Sequence, residues 1–390
     1  MNEKKVLKIL YVIHDNKKGG AAISFLDMLD RIRKDNEVFV IVPHKNGYLT
    51  HELDKRGVKY MSAHYFWWFV EKPSSKAMQT FKKIIYTILT KVNEYDAARI
   101  VKSLQTENFD LVHTNSSVVD FGAILAEKMN LPHVWHIREV VKELDFLPVY
   151  RESVIYAYMK EHANVMIAIS AAVAEKMKQL TQCNKIEVVY NGMTESNTIM
   201  KTRFPKRGEK ISFLSTGNIC REKGQLTIVR AIDELVSRGE TNFHVFFAGR
   251  GRVKEISQLI AKSNLASYVT FLGQIDDMKR LRNKTDVEIV ATKWEAFGRA
   301  TVEAMQASNP VIGTNLGGTT ELIIQNKNGF LFEWDDYRTL AEYMRIFIND
   351  PEKIGIMGKA AYQSVMGKFT SEENEIKIQE IYERVVKYGK

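Results

Sequence analysis

Two glutamates and the turn between them carry the clearest chemistry in this sequence. Glu295 precedes the dipeptide Phe297-Gly298, and Glu303 follows eight residues after Glu295 on a predicted helix. An apolar run over 287–291 leads into the turn and has the length of one buried strand. At a helix start, backbone amides and the positive dipole end favour an anion, and carboxylates accept hydrogen bonds from hydroxyl groups. The pattern therefore indicates a site for a ligand that combines a diphosphate with polyols.

The residues around this pair occur in a characteristic order. Two glutamates at this spacing, taken alone, are more often a solvated face of a helix. Here, however, the chain reads Glu295-Ala-Phe-Gly-Arg-Ala-Thr-Val-Glu303, then Ala304-Met305, Pro310-Val311 and Gly317-Gly318-Thr-Thr-Glu321. This order resembles the Glu-x7-Glu signature of the family 4 retaining glycosyltransferases. The resemblance implies the α/β fold called GT-B, in which two Rossmann-like domains with parallel sheets face a central cleft.

The resemblance also implies a reaction and roles for the residues of this stretch. A sugar of the hexose class would move from a nucleotide diphosphate sugar to an acceptor hydroxyl, with retention of configuration. Glu295 would hold donor hydroxyls and Glu303 the ribose, while Phe297, Gly298 and Arg299 would line the donor site. The sequence contains no Asp-x-Asp triplet, so we expect neither a divalent metal nor any cofactor besides the nucleotide sugar.

A second stretch contains basic residues that would bind the negatively charged diphosphate. Residues 215–225 predict a strand, a loop and a helix start, and they resemble the Gly-Arg…Glu-Lys-Gly segment whose Arg and Lys bind the donor diphosphate in this family. Lys223 matches the lysine, but Asn218 stands at the arginine position. Arg221 lies three residues further on and is a candidate replacement, because a guanidinium can donate two parallel hydrogen bonds to a phosphate. Without a ligand, such basic residues would simply be solvated.

The first half of the chain supplies a further set of candidates. Gly19 and Gly20 follow the first predicted strand and precede a helix, so their amides can approach a phosphate or sugar; a flexible turn without ligand is the alternative. His136 matches the family histidine that ends a strand and contacts the donor sugar, although a lone histidine is more often structural. Arg138 and Glu139 lie beside it, where the acceptor approaches in the family.

Short apolar runs alternate with helical patterns throughout the chain, which predicts right-handed βαβ units and parallel sheets with ligands beyond the carboxyl ends of the strands. We expect strands over 6–13, 37–43, 59–63, 110–115, 133–137, 165–170 and 186–190, and then over 211–217, 242–249, 269–273, 287–291, 310–314 and 330–332. The predicted domains are an acceptor-side domain over 1–193, a linker over 194–209, a nucleotide-sugar domain over 210–369 and a final helix over 370–390. In the family, this last helix crosses back to the first domain.

The composition excludes several classes of protein. A chain of 390 residues with 45% hydrophobic content can bury two cores. The net charge of +9 is spread evenly over the two halves, which argues against a nucleic-acid partner. Cys183 and Cys220 cannot form a disulfide framework, which fits a reducing cytoplasm. Because Lys8 interrupts the first apolar run, we interpret that run as a strand and not as a signal peptide.

One region suggests a peripheral contact with an anionic membrane. Residues 74–104 have apolar side chains at helical spacing and several lysines on another face, and an aromatic cluster over 65–70 precedes them in a predicted loop. Exposed aromatic residues beside lysines suit a membrane interface. Alternatively, the helix packs its apolar face on its own sheet and the aromatics fold beneath it. On the first interpretation, the acceptor is a lipid-linked glycan or oligosaccharide at the inner membrane face, in assembly of a bacterial surface polysaccharide such as a capsule.

Two other functions are compatible with the same residues. A GT-B epimerase or phosphorylase would use a similar nucleotide-sugar site, and it would be revealed by turnover without an acceptor. A non-catalytic subunit that binds sugar nucleotides would explain the loss of arginine at Asn218. The presence of Lys223, Glu295 and Glu303 favours the transferase.

Overall fold

The chain forms two separate α/β units. The computed structural model describes residues 5–73, 75–144, 146–193, 200–251 and 254–389. One unit comprises the described residues of Met1–Thr194 and Phe369–Lys390, and the other those of Glu195–Lys368. The first part of the predicted linker, 194–199, lies outside the described residues.

The first unit alternates strands with helices. Its described strands are β1 (Lys8–Val12), β2 (Glu37–Val42), β3 (Lys59–Ser62), β4 (Phe69–Glu71), β5 (Leu111–Thr114), β6 (His133–Ile137), β7 (Phe146–Pro148), β8 (Val165–Ala168) and β9 (Ile186–Val188). Its helices before the linker are α1 (Gly20–Ile32), α2 (Tyr48–Lys55), α3 (Lys76–Leu89), α4 (Lys91–Ser103), α5 (Phe121–Met129), α6 (Glu152–His162) and α7 (Ala171–Thr181).

Seven of these strands form one sheet in the order β3-β2-β1-β5-β6-β8-β9. Every pairing in it is parallel. The strand order reverses between β1 and β5, and parallel sheets bind ligands beyond the carboxyl ends of strands at such a switch point. The sequence did not predict the antiparallel pair of β4 and β7.

The second unit repeats this plan. Its described strands are β10 (Ile211–Thr216), β11 (Phe243–Ala248), β12 (Val269–Gly273), β13 (Val287–Val290), β14 (Val311–Thr314) and β15 (Gly329–Phe332). Its helices are α8 (Gln225–Ser237), α9 (Lys254–Lys262), α10 (Met278–Lys284), α11 (Arg299–Gln306), α12 (Thr319–Leu322), α13 (Tyr337–Asn349) and α14 (Glu352–Val365). The sheet order is β12-β11-β10-β13-β14-β15, all parallel, with the reversal between β10 and β13.

Burial explains why these segments are strands. All residues of β5, β6 and β8 in the first sheet, and of β13 and β14 in the second, are buried. Strands covered on both faces read as continuous apolar runs, since no side faces water. Each fully buried Val, Leu or Ile side chain contributes about 1.5–3 kcal/mol.

The final helix, α15 (Ser371–Tyr388), belongs to the first unit. The hydroxyl of Thr370 caps it by accepting from the Glu373 amide at 3.1 Å. Asn374 Nδ2 donates to the Tyr190 carbonyl at 2.7 Å, and the fully buried Tyr382 lies among the side chains of the first core. The helix therefore completes the core of the first unit.

The remainder of the predicted linker packs on the second unit. Lys201 Nζ donates to the Thr285 carbonyl at 2.6 Å and to Asn309 Oδ1 at 2.8 Å. Phe204 packs against the core of the second unit. The described residues 200–209 therefore contact this unit instead of forming a free connection.

The rings of the aromatic segment over 65–70 are largely buried, so of the two alternatives the one with exposed aromatic residues was wrong. Tyr65 and Trp68 are buried, and Trp68 stacks on Trp135 with ring centroids 5.7 Å apart. The Trp68 indole donates to the Ser117 carbonyl at 2.8 Å, as a buried indole N–H requires. These rings stabilise the first unit and do not form an exposed surface.

Helix α3 does not bury its apolar face, so the alternative in which this face packs on the sheet was wrong. None of its residues is buried, and Met78, Phe81, Ile84 and Ile88 are 47–63% exposed. The helical pattern over 74–104 is divided at Thr90, where α3 ends and α4 begins. Among the described residues, no helix has the length and apolar character that crossing a bilayer requires.

Candidate active site

Lys223 and Glu295 form an ion pair at the switch point of the second sheet. Lys223 follows β10 and Glu295 follows β13, and Nζ lies 2.6 Å from Oε1. Burial lowers the pKa of Lys223, but the charge of Glu295 and the hydrogen bond to it outweigh burial, so the pKa lies above its ordinary value. The side chains are 33% and 17% exposed, so a ligand can reach both charges.

Close backbone contacts hold these two loops together. Gly224 has φ +70°, and a Cβ there would lie 2.1 Å from the Ala291 carbonyl oxygen. Only glycine fits this position, because it combines a left-handed backbone with no side chain. The Lys293 amide donates to the Glu222 carbonyl at 2.7 Å. Lys223 is thereby fixed beside the segment that carries Glu295.

A second glycine pair positions Glu295 from the other side. The Gly318 amide donates to the Glu295 carbonyl at 2.7 Å. Gly317 has φ +63°, and a Cβ there would lie 2.2 Å from the same carbonyl oxygen. The Gly-Gly dipeptide is therefore needed for the close approach of the loop after β14 to the loop after β13.

Helix α11 begins directly after Gly298, which has φ +97°. Its first turn contains no acidic residue, and no described side chain caps it. The positive end of the helix therefore points at the loop that carries Glu295, without an acidic group in that turn to offset it. This arrangement suits a phosphate beside the Lys223–Glu295 pair.

Glu303 lies on α11 between two arginines. It accepts from Arg282 Nη1 at 2.5 Å, and Arg299 Nε lies 3.2 Å from its other oxygen. Arg282 is 4% exposed and also donates to the fully buried Glu288 at 2.7 Å. Burial lowers the pKa of Arg282, yet the two carboxylates raise it above its ordinary value. Glu303 is 30% exposed, so one face of its carboxylate remains open.

The sequence did not predict the roles of Arg282 and Glu288. The available signal was a glutamate inside the apolar run over 287–291, since a buried carboxylate requires a charged or hydrogen-bonding partner. The partner comes from α10, and no sequence spacing relates it to Glu303.

Arg221 is exposed, whereas Lys223 is paired. Arg221 begins a single turn of 3-10 helix, Arg221–Lys223, and it makes no ion pair within the residues that the structure describes. Asn218 is also exposed, and its carbonyl accepts from Gln225 Nε2 at 3.1 Å. Arg221 therefore lies in the same loop as Lys223 with its charge available, and its compensation for Asn218 stays a prediction.

In the first unit, Gly19 and Gly20 lie at the start of α1. Gly20 is the first helical residue and Gly19 precedes it with extended backbone. A Cβ on either glycine would meet no atom within 4 Å. Packing therefore does not explain these glycines, and the space above the amides is open. Contact with a donor at this point stays a prediction.

Arg138 and Glu139 form part of a network at the carboxyl edge of the first sheet. Arg138 is buried, with Nε donating to Asn115 Oδ1 at 2.9 Å and Nη1 donating to Asn191. Glu139 Oε1 accepts from the Ser117 amide at 2.7 Å and from the hydroxyls of Ser116 and Ser117. These residues organise the loops after β5 and β6, and their contact with an acceptor stays a prediction.

His136 is fully buried on β6 and keeps one ring nitrogen unused. Its Nδ1 lies 3.3 Å from His113 Nε2, while its Nε2 has no partner among the described residues. Burial and the charge of Arg138 hold the pKa of His136 well below its ordinary value, so the ring is neutral. Asn115 Nδ2 and His14 Nδ1 are likewise buried without a described partner. Buried polar atoms are normally paired, so each of these three atoms is a candidate for contact with a ligand.

No group of three His, Cys, Asp or Glu side chains suited to a metal ion occurs in the described part of the chain.

Two family models together match most of the chain. The model described as Glycosyltransferase Family 4 matches residues 18–196, and the model described as Glycosyl transferases group 1 matches residues 196–364. The chain belongs to the family 4 glycosyltransferases. The family expected from the Glu295 to Glu321 segment is thus confirmed.

This family 4 glycosyltransferase has curated relatives of similar extent. It is 25% identical over 306 residues to N-acetyl-alpha-D-glucosaminyl L-malate synthase of Bacillus anthracis, covering 75% of this chain and 80% of the relative. It is 26% identical over 252 residues to the capsular polysaccharide biosynthesis glycosyltransferase CapM of Staphylococcus aureus, covering 60% and 64%. Glycosyltransferases of polysaccharide assembly are therefore among its homologues.

A solved structure shares the fold of this family 4 glycosyltransferase over its whole length. HepE of Anabaena, crystallised with UDP and glucose, superposes with a TM-score of 0.76 at 21% identity, covering 97% of this chain and 100% of HepE. At this identity the likeness concerns the fold alone. The expected GT-B fold is confirmed.

Proposed function

We propose that this enzyme transfers a hexose from a nucleotide diphosphate sugar to an acceptor hydroxyl with retention of configuration. The Lys223–Glu295 pair carries the proposal, because it joins a phosphate-binding cation to a hydroxyl-binding carboxylate at a helix start. The complex of HepE with UDP and glucose supports a uridine nucleotide as the first donor to test.

Stabilising the leaving diphosphate is the main electrostatic task of such a reaction. Lys223 Nζ, the Arg221 guanidinium and the amides after Phe297 would face the developing negative charge. These groups replace the charge that a divalent metal supplies in other transferases, so we propose catalysis without a metal. Glu303 would hold the ribose, Glu295 the sugar hydroxyls, and His136 would orient the sugar. None needs to form a covalent bond with it.

We further propose a lipid-linked glycan as the acceptor, in assembly of a bacterial surface polysaccharide. The name of CapM, a capsular polysaccharide glycosyltransferase, supports this pathway class. Helix α3 supports a membrane location, because its apolar residues are exposed and its sequence contains three lysines and no acidic residue. Such a helix would lie on an anionic bilayer, with its apolar side chains among the lipid headgroups. The enzyme would then act at the inner face of the membrane.

The direct experiment combines a panel of UDP-sugars with a polyprenyl-diphosphate-linked monosaccharide in detergent and an excess of EDTA. Proton NMR would follow the anomeric signals of donor and product. We expect an α-linked product from an α-linked donor and undiminished activity in EDTA. A β-linked product would exclude retention, and consumption of donor without transfer would favour the epimerase or phosphorylase.

Variants in the same assay test the phosphate charges. Lys223→Ala should lower kcat/KM strongly. If Arg221 replaces the missing arginine, the kcat/KM of Arg221→Ala should lie within about tenfold of the kcat/KM of Lys223→Ala. Lys353→Ala, which removes a partly exposed lysine of α14 that pairs with Asp350, is the matched control. Full activity of Arg221→Ala would show that Asn218 has no substitute in this loop.

A further inference from the structure

A buried chain of hydrogen bonds connects the last helix to His136. The Tyr11 and Tyr382 hydroxyls lie 2.9 Å apart, and Tyr382 Oη lies 2.7 Å from His113 Nδ1. His113 Nε2 then lies 3.3 Å from His136 Nδ1. All four side chains are fully buried. The chain therefore runs from β1 through α15 and β5 to the candidate sugar-binding residue on β6.

The number of protons determines the direction of this chain. Each tyrosine hydroxyl has one proton, and each neutral imidazole has one N–H and one acceptor nitrogen. Tyr11 Oη has Tyr382 as its one partner among the described residues. If Tyr11 accepted from Tyr382, its own proton would be buried without an acceptor, which is unfavourable.

If Tyr11 donates, every proton before His136 finds an acceptor, whereas the reverse direction leaves both the Tyr11 proton and His136 Nε2 without a described partner. Tyr11 donates to Tyr382, and Tyr382 donates to His113 Nδ1. The proton of His113 is then on Nε2 and is donated to His136 Nδ1. The proton of His136 must consequently lie on Nε2, the ring nitrogen that has no described partner.

We infer that Tyr382 and His113 are positioning residues that hold His136 in the Nε2–H tautomer, so that it presents a hydrogen-bond donor to the ligand. The ligand group that matches it is an oxygen acceptor, such as a sugar hydroxyl. Low pKa values of His113 and His136, caused by burial, agree with two neutral rings. The identity of the ligand rests on the proposed function, but the tautomer does not.

Two tyrosines of the same chain provide a matched pair of variants. In Tyr11→Phe, the Tyr382 hydroxyl still has one proton and His113 Nδ1 as acceptor, so the direction is kept. In Tyr382→Phe, His113 Nδ1 loses its donor and nothing fixes the tautomer of either histidine. A merely structural role predicts similar effects, because each variant removes one buried hydroxyl.

The test is nitrogen-15 NMR of histidine rings in the full-length protein without ligand, with His136 assigned through His136→Gln. We expect a protonated Nε2 in the wild type and in Tyr11→Phe, and a mixture of tautomers in Tyr382→Phe. A wild-type Nδ1–H ring, or an unchanged tautomer in Tyr382→Phe, would overturn the inference. These measurements do not depend on activity, so they distinguish the tautomers even if the proposed transfer reaction does not occur.

Kinetics with UDP-glucose provide a second readout. Tyr382→Phe should lower kcat about tenfold with unchanged affinity for UDP, while Tyr11→Phe should retain kcat within about twofold. Equal losses in the two variants would indicate that the hydroxyls only support packing. Thermal unfolding of both variants identifies any loss of kcat that comes from misfolding.

Discussion

Among single residues, the two glutamates of the signature differ in the groups that hold them. Glu295 faces one partly exposed lysine, Lys223, whereas Glu303 lies between Arg282 and Arg299. An arginine pair orients a carboxylate before a ligand arrives, which reduces the entropy lost on binding. We therefore predict that Glu303 binds a group common to all donors and Glu295 the part that varies.

This difference leads to a prediction about binding. Glu303→Gln should weaken the binding of UDP by roughly 1.5–3 kcal/mol, because a charged hydrogen bond to the ribose is lost. Glu295→Gln should leave the affinity for UDP unchanged and weaken the binding of UDP-glucose by a similar amount. Both variants should fold, since Arg282 keeps Glu288 as a partner. Calorimetry with both ligands measures these effects.

Glu352→Gln, at an exposed position of α14, is the control for a general change of charge. Unchanged affinities for both ligands in folded Glu295→Gln and Glu303→Gln would show that these carboxylates do not bind the donor.

The sequence located the site residues better than their partners. Lys223 and Glu295 were predicted from local order, and they lie together because parallel strands at a switch point bring their following loops to one edge. Arg282 was missed, and the burial of Arg138 was not predicted, while its contact with an acceptor stays a prediction. Their surroundings depend on side chains distant in the chain, and no local pattern records them.

Among the secondary-structure elements, the long strands were predicted within a few residues. Strands buried on both faces leave an apolar run that ends at polar or glycine residues, as at Val165–Ala168, where Ser170 ends the run. The pair of Phe69–Glu71 and Phe146–Pro148 was not predicted, because three-residue strands have too few positions to show alternation. Helix α3 was predicted as a helix, but the sequence left open whether its apolar side would pack on the sheet or remain exposed.

Helix α3 gives a prediction for membrane binding. Replacing Phe81, Ile84 and Ile88 by serine should abolish co-sedimentation with anionic liposomes, because each exposed apolar side chain then loses its burial in lipid. Salt should release the wild-type protein, since each lysine near the surface contributes only about 1 kcal/mol and is screened.

Ile356→Ser is the matched control, because Ile356 is an equally exposed isoleucine on α14. Trp67 and Trp68 are unsuitable for this test, since their indoles donate to backbone carbonyls inside the first unit. Wild-type protein that ignores anionic liposomes at low salt would favour an acceptor that is not embedded in a membrane.

For the whole molecule, both units follow one plan, with a parallel sheet whose strand order reverses once. Each switch point contains residues that the sequence singled out: Lys223 and Glu295 in the second unit, and His136 near its counterpart in the first. The last helix contributes Tyr382 to the first unit. The hydrogen bond of Tyr382 to His113 could not be predicted, since a tyrosine on the apolar face of a helix normally indicates only a buried core residue.

We propose that the loops after β10 and β13 bind a nucleoside diphosphate. A crystal structure of the enzyme with UDP tests it most directly. We expect a diphosphate oxygen within hydrogen-bonding distance of Lys223 Nζ and of the first amides of α11, with the ribose hydroxyls on Glu303. UDP bound elsewhere, with the Lys223–Glu295 pair intact and its surroundings empty, would show that these loops are not the nucleotide site.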